Sequence, residues 1–243
     1  MFSDRLLSAL GGWQNGWRED SARRLKITEE LRAATAAEGL SGQFLTCPHV
    51  CYRKRFLVPN NPQNGGDLGP LFINGRIEEG VAAWTTNAKF AQEFKDPLRD
   101  GAFSVVFAHR PAEGEVVLNV PALWSDPTFK QRVHEFKRRG GVHADALLNF
   151  SFRQSEIIMD ASLRYNEVHA ICGRSSPFEV LCELQGLFTD EDRDLYWKEL
   201  VAADKFPEDP RWIEGPRVQN VLERTKTKFM NQFGSTLAKV LDI

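Results

Sequence analysis

Cysteine is scarce: Cys47, Cys51, Cys172 and Cys182 are the only ones in 243 residues. Four scattered cysteines exclude a disulfide-rich scaffold and make a reducing compartment the default expectation. An excess of charge of either sign is also missing, because 31 Lys and Arg stand against 33 Asp and Glu, leaving a formal net charge of −2. That balance argues against a polybasic coat for nucleic acid. No apolar run reaches the eighteen or so residues that a membrane span needs, so no membrane partner is expected. The N-terminal stretch has a short apolar patch at Leu6 to Leu10, but acidic Asp4 precedes it and Trp13 and Trp17 with polar neighbours follow, so it reads as a poor signal peptide. A cytoplasmic protein, or one delivered into a target cell by other machinery, is the expectation.

What is present supports a packed core. Hydrophobic residues make up 42% of the chain and charged residues 26%, outside the low-hydrophobicity regime of disordered segments. A chain of this length needs neither a disulfide nor a structural metal to bury enough surface.

Read along the chain, residues 19–38 are rich in Ala, Leu, Glu and Arg, which predicts a helix with a stripe at Ala22, Leu25, Leu31 and Ala34 and a stop at Gly39. Residues 50–58 alternate polar and apolar side chains like a strand, and the Pro and Gly cluster after them reads as a loop. A short strand through Trp84, Thr85 and Thr86 runs into a helix that Thr86 or Asn87 caps. Strands at 103–109 and 115–120, joined by Pro111 to Gly114, predict a hairpin. A helix at 127–139, strands at 155–163 and 168–173, and helical patterning from Pro177 complete the reading. The order gives an α+β fold with three parts: a helical segment 1–45, a β core 46–176 with a helical insertion 121–149, and a helical extension 177–243.

Three short constellations carry the chemistry. Tyr52 and Arg53 lie in the first core strand, Thr85, Thr86 and Asn87 at a strand-to-helix junction, and Gln154 and Glu156 at the entry to a later strand that continues with Ile157, Ile158 and Met159. In this order they resemble the ADP-ribosyltransferases of the Arg, Ser-Thr-Ser, Gln-or-Glu-x-Glu class, the cholera-toxin-like branch, over roughly residues 48–173. The resemblance implies a split, mixed or antiparallel β core and NAD as co-substrate. It implies Glu156 as the carboxylate that meets the ribose 2-hydroxyl in an oxocarbenium-like state. Gln154 is the implied partner that selects the acceptor. Arg53 is the implied pyrophosphate fork, with Arg55 as a same-face alternative. Thr85 and Thr86 are implied to line the nicotinamide pocket, and Trp84 could stack on nicotinamide or on a base, though buried core is the simpler role for it.

Thr-Thr-Asn stands where the family has Ser-Thr-Ser, and glutamine cannot act as a base. An amide or nucleobase acceptor, in protein or nucleic acid, is therefore expected ahead of arginine. The class also implies a toxin or effector, with an antitoxin among its partners. Water as acceptor, giving an NAD glycohydrolase, and a non-catalytic interaction module are the alternatives. Phe72, Phe103 and Phe152 are further candidates for stacking, though core is the simpler role for each. Cys47, His49 and Cys51 alternate as zinc ligands on a strand face would, but no second ligand cluster accompanies them and no metal is expected. The basic run Lys130, Arg132, Lys137, Arg138 and Arg139 reads as a solvated face that could also meet an anion.

Overall fold

The computed structural model describes residues 2–16, 20–58, 66–98, 102–150, 155–174 and 176–240. It is α+β, and every strand pairing described is antiparallel. The chain forms two compact units, each drawn from three segments: residues 1–53, 77–91 and 108–163 in the first, and 54–76, 92–107 and 164–243 in the second.

The first unit begins with α1 (Asp4–Asn15), whose N-terminus is capped by Ser3 Oγ accepting from the Leu6 amide at 3.2 Å. Leu6, Leu7, Leu10 and Trp13 form its buried stripe. Helix α2 (Ser21–Glu38) is capped by Asp20 and ends at Gly39, whose φ of 61° is the left-handed conformation that glycine tolerates. Its inward residues are Ile27, Leu31 and Ala34, whereas Leu25 is exposed. The expected stripe is therefore corrected at two positions: Ala22 and Leu25 are both exposed, and tertiary packing turns Ile27 inward with Leu31 and Ala34.

Strand β1 (Cys51–Leu57) is shared between the units, β2 (Arg76–Ile77) follows α3 (Leu68–Ile73), and β3 (Val81–Thr85) leads into α4 (Ala88–Glu93). Asn87 Oδ1 accepts from the Phe90 amide at 3.0 Å, so of the two expected caps it is Asn87 that starts α4. Beyond β4 (Phe103–His109) and β5 (Val116–Asn119) come α5 (Val120–Ser125), α6 (Pro127–Arg138) and α7 (Ala144–Phe150), which occupy the stretch expected to be a helical insertion. Strands β6 (Glu156–Asp160) and β7 (Leu163–Arg164) close the first unit's share of the chain.

In this unit the strand order is β5-β6-β3-β1. Val81 and Ile158, from β3 and β6, join a core built from Leu6, Leu10, Leu31, Phe129 and Leu147 of four helices. Phe2 meets the rings of Phe44 and Phe129 edge-on at 5.6 and 5.2 Å. Each such buried side chain contributes roughly 1.5–3 kcal/mol. Helix α1 approaches the start of α7 closely at Gly11, where an added Cβ would lie 2.7 Å from the His143 carbonyl oxygen. The basic run on α6 is partly spoken for, since Arg132 and Arg139 both reach Asp4 at the start of α1, at 3.1 and 2.8 Å.

The second unit orders its strands β1-β4-β8-β9, with β8 (Val168–Arg174) pairing β9 (Pro210–Glu214). Lys54 Nζ donates to the carbonyls of Gln92, Phe94 and Lys95 at 2.9–3.1 Å, the favourable place for a cation at a helix C-terminus. Helices α8 (Phe178–Gln185), α9 (Asp190–Ala202) and α10 (Pro216–Val240) make up most of the remainder, and α9 has no buried residue. Phe72 and Phe229 stack edge-on at 5.5 Å beneath Tyr165.

Two strand expectations are corrected. Strands β4 and β5 do not form a hairpin: β4 pairs β8 and β5 pairs β6. Residues 116–119 are buried on both faces, so β5 takes a neighbour that covers it. The segment 210–214, within the extension expected to be helical, is a strand because Trp212 and Ile213 find Cys172 and Ile171 across β8. No described helix is long and apolar enough to cross a membrane.

Candidate functional site

Three of the motif-bearing strands lie side by side in the first unit. Tyr52 of β1 is the register partner of Thr85 of β3, and Thr85 is the register partner of Glu156 of β6. Residues paired across an antiparallel ladder project from the same face. A phenol, a hydroxyl and a carboxylate thus form one row across the end of β3, although they are separated by more than one hundred residues in the chain.

The Glu156 carboxylate is held from above by α1. Trp13 Nε1 donates to Oε1 at 2.9 Å and Gln14 Nε2 donates to Oε2 at 3.1 Å. Glu156 is only 6% exposed, and burial pushes its pKa above the ordinary carboxylate value, with the two hydrogen bonds pulling the other way. Both donors are uncharged, and among the described residues no cation offsets the loss of water. Among the described residues each oxygen accepts one bond, which leaves a second acceptor position on each. Gln14 Oε1 is buried with no hydrogen-bond partner beside this pair.

The entry to β6 is bent. Ser155 has a φ of 45°, uncommon for a residue with a side chain, and its carbonyl accepts from the Thr86 amide at 3.3 Å. Thr85 Oγ1 accepts from the Asn87 amide at 3.2 Å. The third residue of the triplet therefore serves the start of α4, where Asn is a strong cap.

The remaining expected residues fall elsewhere. Arg53, one position beyond the row, ion-pairs with Glu79 and donates Nη1 to the Ala83 carbonyl at 2.8 Å. Glu79 also receives Arg24 of α2 at 3.6 Å, so two guanidiniums share one buried carboxylate. Arg55 belongs to the second unit, where its guanidinium lies 3.9 Å from Asp67. Trp84 pairs with Ile157, one step off the row; it is 2% exposed, its indole nitrogen has no acceptor, and its ring is 5.8 Å from that of His109. Gln154 and Phe152 lie outside the described residues. Phe72 is core of the second unit and Phe103 is exposed.

Sequence reasoning missed Trp13 and Gln14. Their signal was the helical spacing of Leu6, Leu10 and Trp13, but nothing local connects a residue at position 13 to a carboxylate at 156. Cys47, His49 and Cys51 do not share a strand face, because β1 starts only at Cys51 and His49 is exposed. Among the described residues no group of three or more His, Cys, Asp or Glu is arranged to hold a metal ion. No family model, curated protein or solved structure matches the chain.

Proposed function

We propose that the first unit cleaves NAD at its nicotinamide–ribose bond and transfers ADP-ribose to a macromolecular acceptor, with Glu156 as the catalytic carboxylate. The observation that carries this reading is the direct pairing of Thr85 with Glu156 across β3 and β6. That pairing brings the hydroxyl strand and the carboxylate strand side by side, which supports the reading drawn from the sequence resemblance to ADP-ribosyltransferases. In the reaction the C–N bond breaks, nicotinamide leaves with the bonding electrons, and the positive charge spreads over the ribose ring. Glu156, through the acceptor positions left open on its oxygens, takes the hydrogen bond of the ribose 2-hydroxyl and stabilises that charge. The acceptor attacks the anomeric carbon and loses its proton. Gln154, one of the motif's two side chains, supports an amide or nucleobase as acceptor.

A non-catalytic module is the second reading, favoured by one observation: Glu156 is enclosed beneath α1 and almost without exposure. Incubation with labelled NAD and cell lysate, followed by separate protease and nuclease digestion, decides between them. Label on protein or nucleic acid that falls at least ~100-fold in Glu156→Gln supports the transferase. Free ADP-ribose with no labelled macromolecule makes the enzyme a glycohydrolase, and no NAD turnover by the wild-type protein leaves the module.

A further inference from the structure

We propose that Cys47 and Cys51 are a modification site, a thiol pair that closes into a reversible intrachain disulfide with an oxidised low-molecular-weight disulfide such as oxidised glutathione. Their Sγ atoms are 3.7 Å apart, in contact and aimed at one acceptor: each lies 3.7 Å from the His49 carbonyl oxygen. A bridge requires the sulfurs to close to about 2.05 Å, a distance that side-chain rotation supplies when the backbone already holds both residues.

The backbone does hold them. The carbonyl of Thr46, just before the first cysteine, accepts from Asn119 Nδ2 at 2.7 Å, and the carbonyl of Pro48, between the two, accepts from Arg110 Nη1 at 3.1 Å. Cys51 is fixed as the first residue of β1. The loop is therefore tied to the first unit at three points, and the thiols meet at high effective concentration.

The exchange has a direction. Cys47 keeps 7% exposure and Cys51 has none, so Cys47 meets the oxidant. Its thiolate attacks a sulfur of oxidised glutathione and expels one glutathione thiolate. Cys51 then attacks the Cys47 sulfur and expels the second. Two cysteine thiols lose two electrons and two protons, and one disulfide becomes two glutathione thiols. Burial and the neighbouring Cys47 raise the Cys51 pKa, so the closing step is slow at neutral pH and accelerates as pH rises.

The test uses the wild-type chain in glutathione buffers of graded redox poise, approached once from reduced protein and once from oxidatively refolded protein. Peptide mapping by mass spectrometry under non-reducing conditions is the readout. The expected result is a Cys47–Cys51 crosslink that forms from both directions, reverts with dithiothreitol, and is replaced by a single glutathione adduct in Cys51→Ser. Free Cys47 and Cys51 from both starting states in the most oxidising buffer, or glutathione on Cys47 with no crosslink in the wild type, overturns the proposal. Neither result depends on whether NAD is turned over.

Discussion

Strand β3 has a buried glutamate at each end, and the two are held in opposite ways. Before its start, Glu79 faces the guanidiniums of Arg53 and Arg24. At its finish, Glu156 faces an indole and an amide, both uncharged. The first arrangement neutralises a carboxylate that the fold needs as an ion. The second leaves a carboxylate oriented by neutral donors, with its pKa raised by burial. The contrast separates architecture from chemistry: a carboxylate locked between arginines has nothing left to offer a substrate, whereas one held by neutral donors retains both acceptor capacity and a proton equilibrium. It also reassigns Arg53, whose engagement with Glu79 makes it first of all a clamp at the structural end.

The sharpest way to break this comparison is to remove each carboxylate in turn. Glu79→Gln is expected to cost about 2–3 kcal/mol, less than the roughly 3–5 of a wholly buried pair because the arginines reach solvent, and urea unfolding measures it. Gly11→Ala comes next, at about 1–3 kcal/mol, because the new methyl group meets a backbone oxygen that cannot rotate away. It should also shift α1 against Glu156, visible as a change in the Trp13 indole resonance. Trp13→Phe removes one of two donors to a buried carboxylate and is expected to cost about 1–2 kcal/mol in the same assay.

Glu156→Gln should have the smallest effect on stability, within about 1 kcal/mol of wild type near neutral pH. A flip of the Gln14 amide would give its unpartnered carbonyl to the new NH2 group. A loss as large as that of Glu79→Gln would make the two ends alike and sink the contrast.

The pH dependence follows with its sign. The folded-state pKa of Glu156 is raised, so its contribution is fully present below the ordinary carboxylate pKa and is lost as pH rises through the raised folded value. Thermal melts of wild type and Glu156→Gln across the acid-to-neutral range should therefore diverge, with the variant gaining relative to wild type as pH increases. A constant offset would mean that Glu156 does not titrate as its burial requires.

The strand ends and caps around Thr85 and Glu156 were legible as sequence, because local rules govern them. Thr85, Thr86 and Asn87 mark a strand-to-helix junction by residue type, and Ile157, Ile158 and Met159 after Glu156 read as strand, though the burial of Glu156 itself does not show in the sequence. The α+β class followed from the order of such elements. Long-range facts were not legible. That β5 joins β6 and not its sequence neighbour β4 depends on which faces each strand must cover. The choice of Ile27 over Leu25 depends on the neighbours of α2, since both are apolar. The pairing of Arg53 with Glu79 was hidden for the same reason: a strand arginine advertises a charge but not its partner, and Glu79 sits in an unremarkable turn.

The interleaving of the two units bears on how the chain is made. Helix α1 is synthesised well before the carboxylate that its Trp13 contacts, which lies 143 residues later. The first unit is not fully synthesised until residue 163, so Leu6, Leu7 and Leu10 remain without the last of their final neighbours until then. Non-local closure of this kind slows folding and leaves apolar surface open to aggregation. Yield on expression should therefore respond to chaperone supply and to growth temperature more steeply than equilibrium stability alone would suggest.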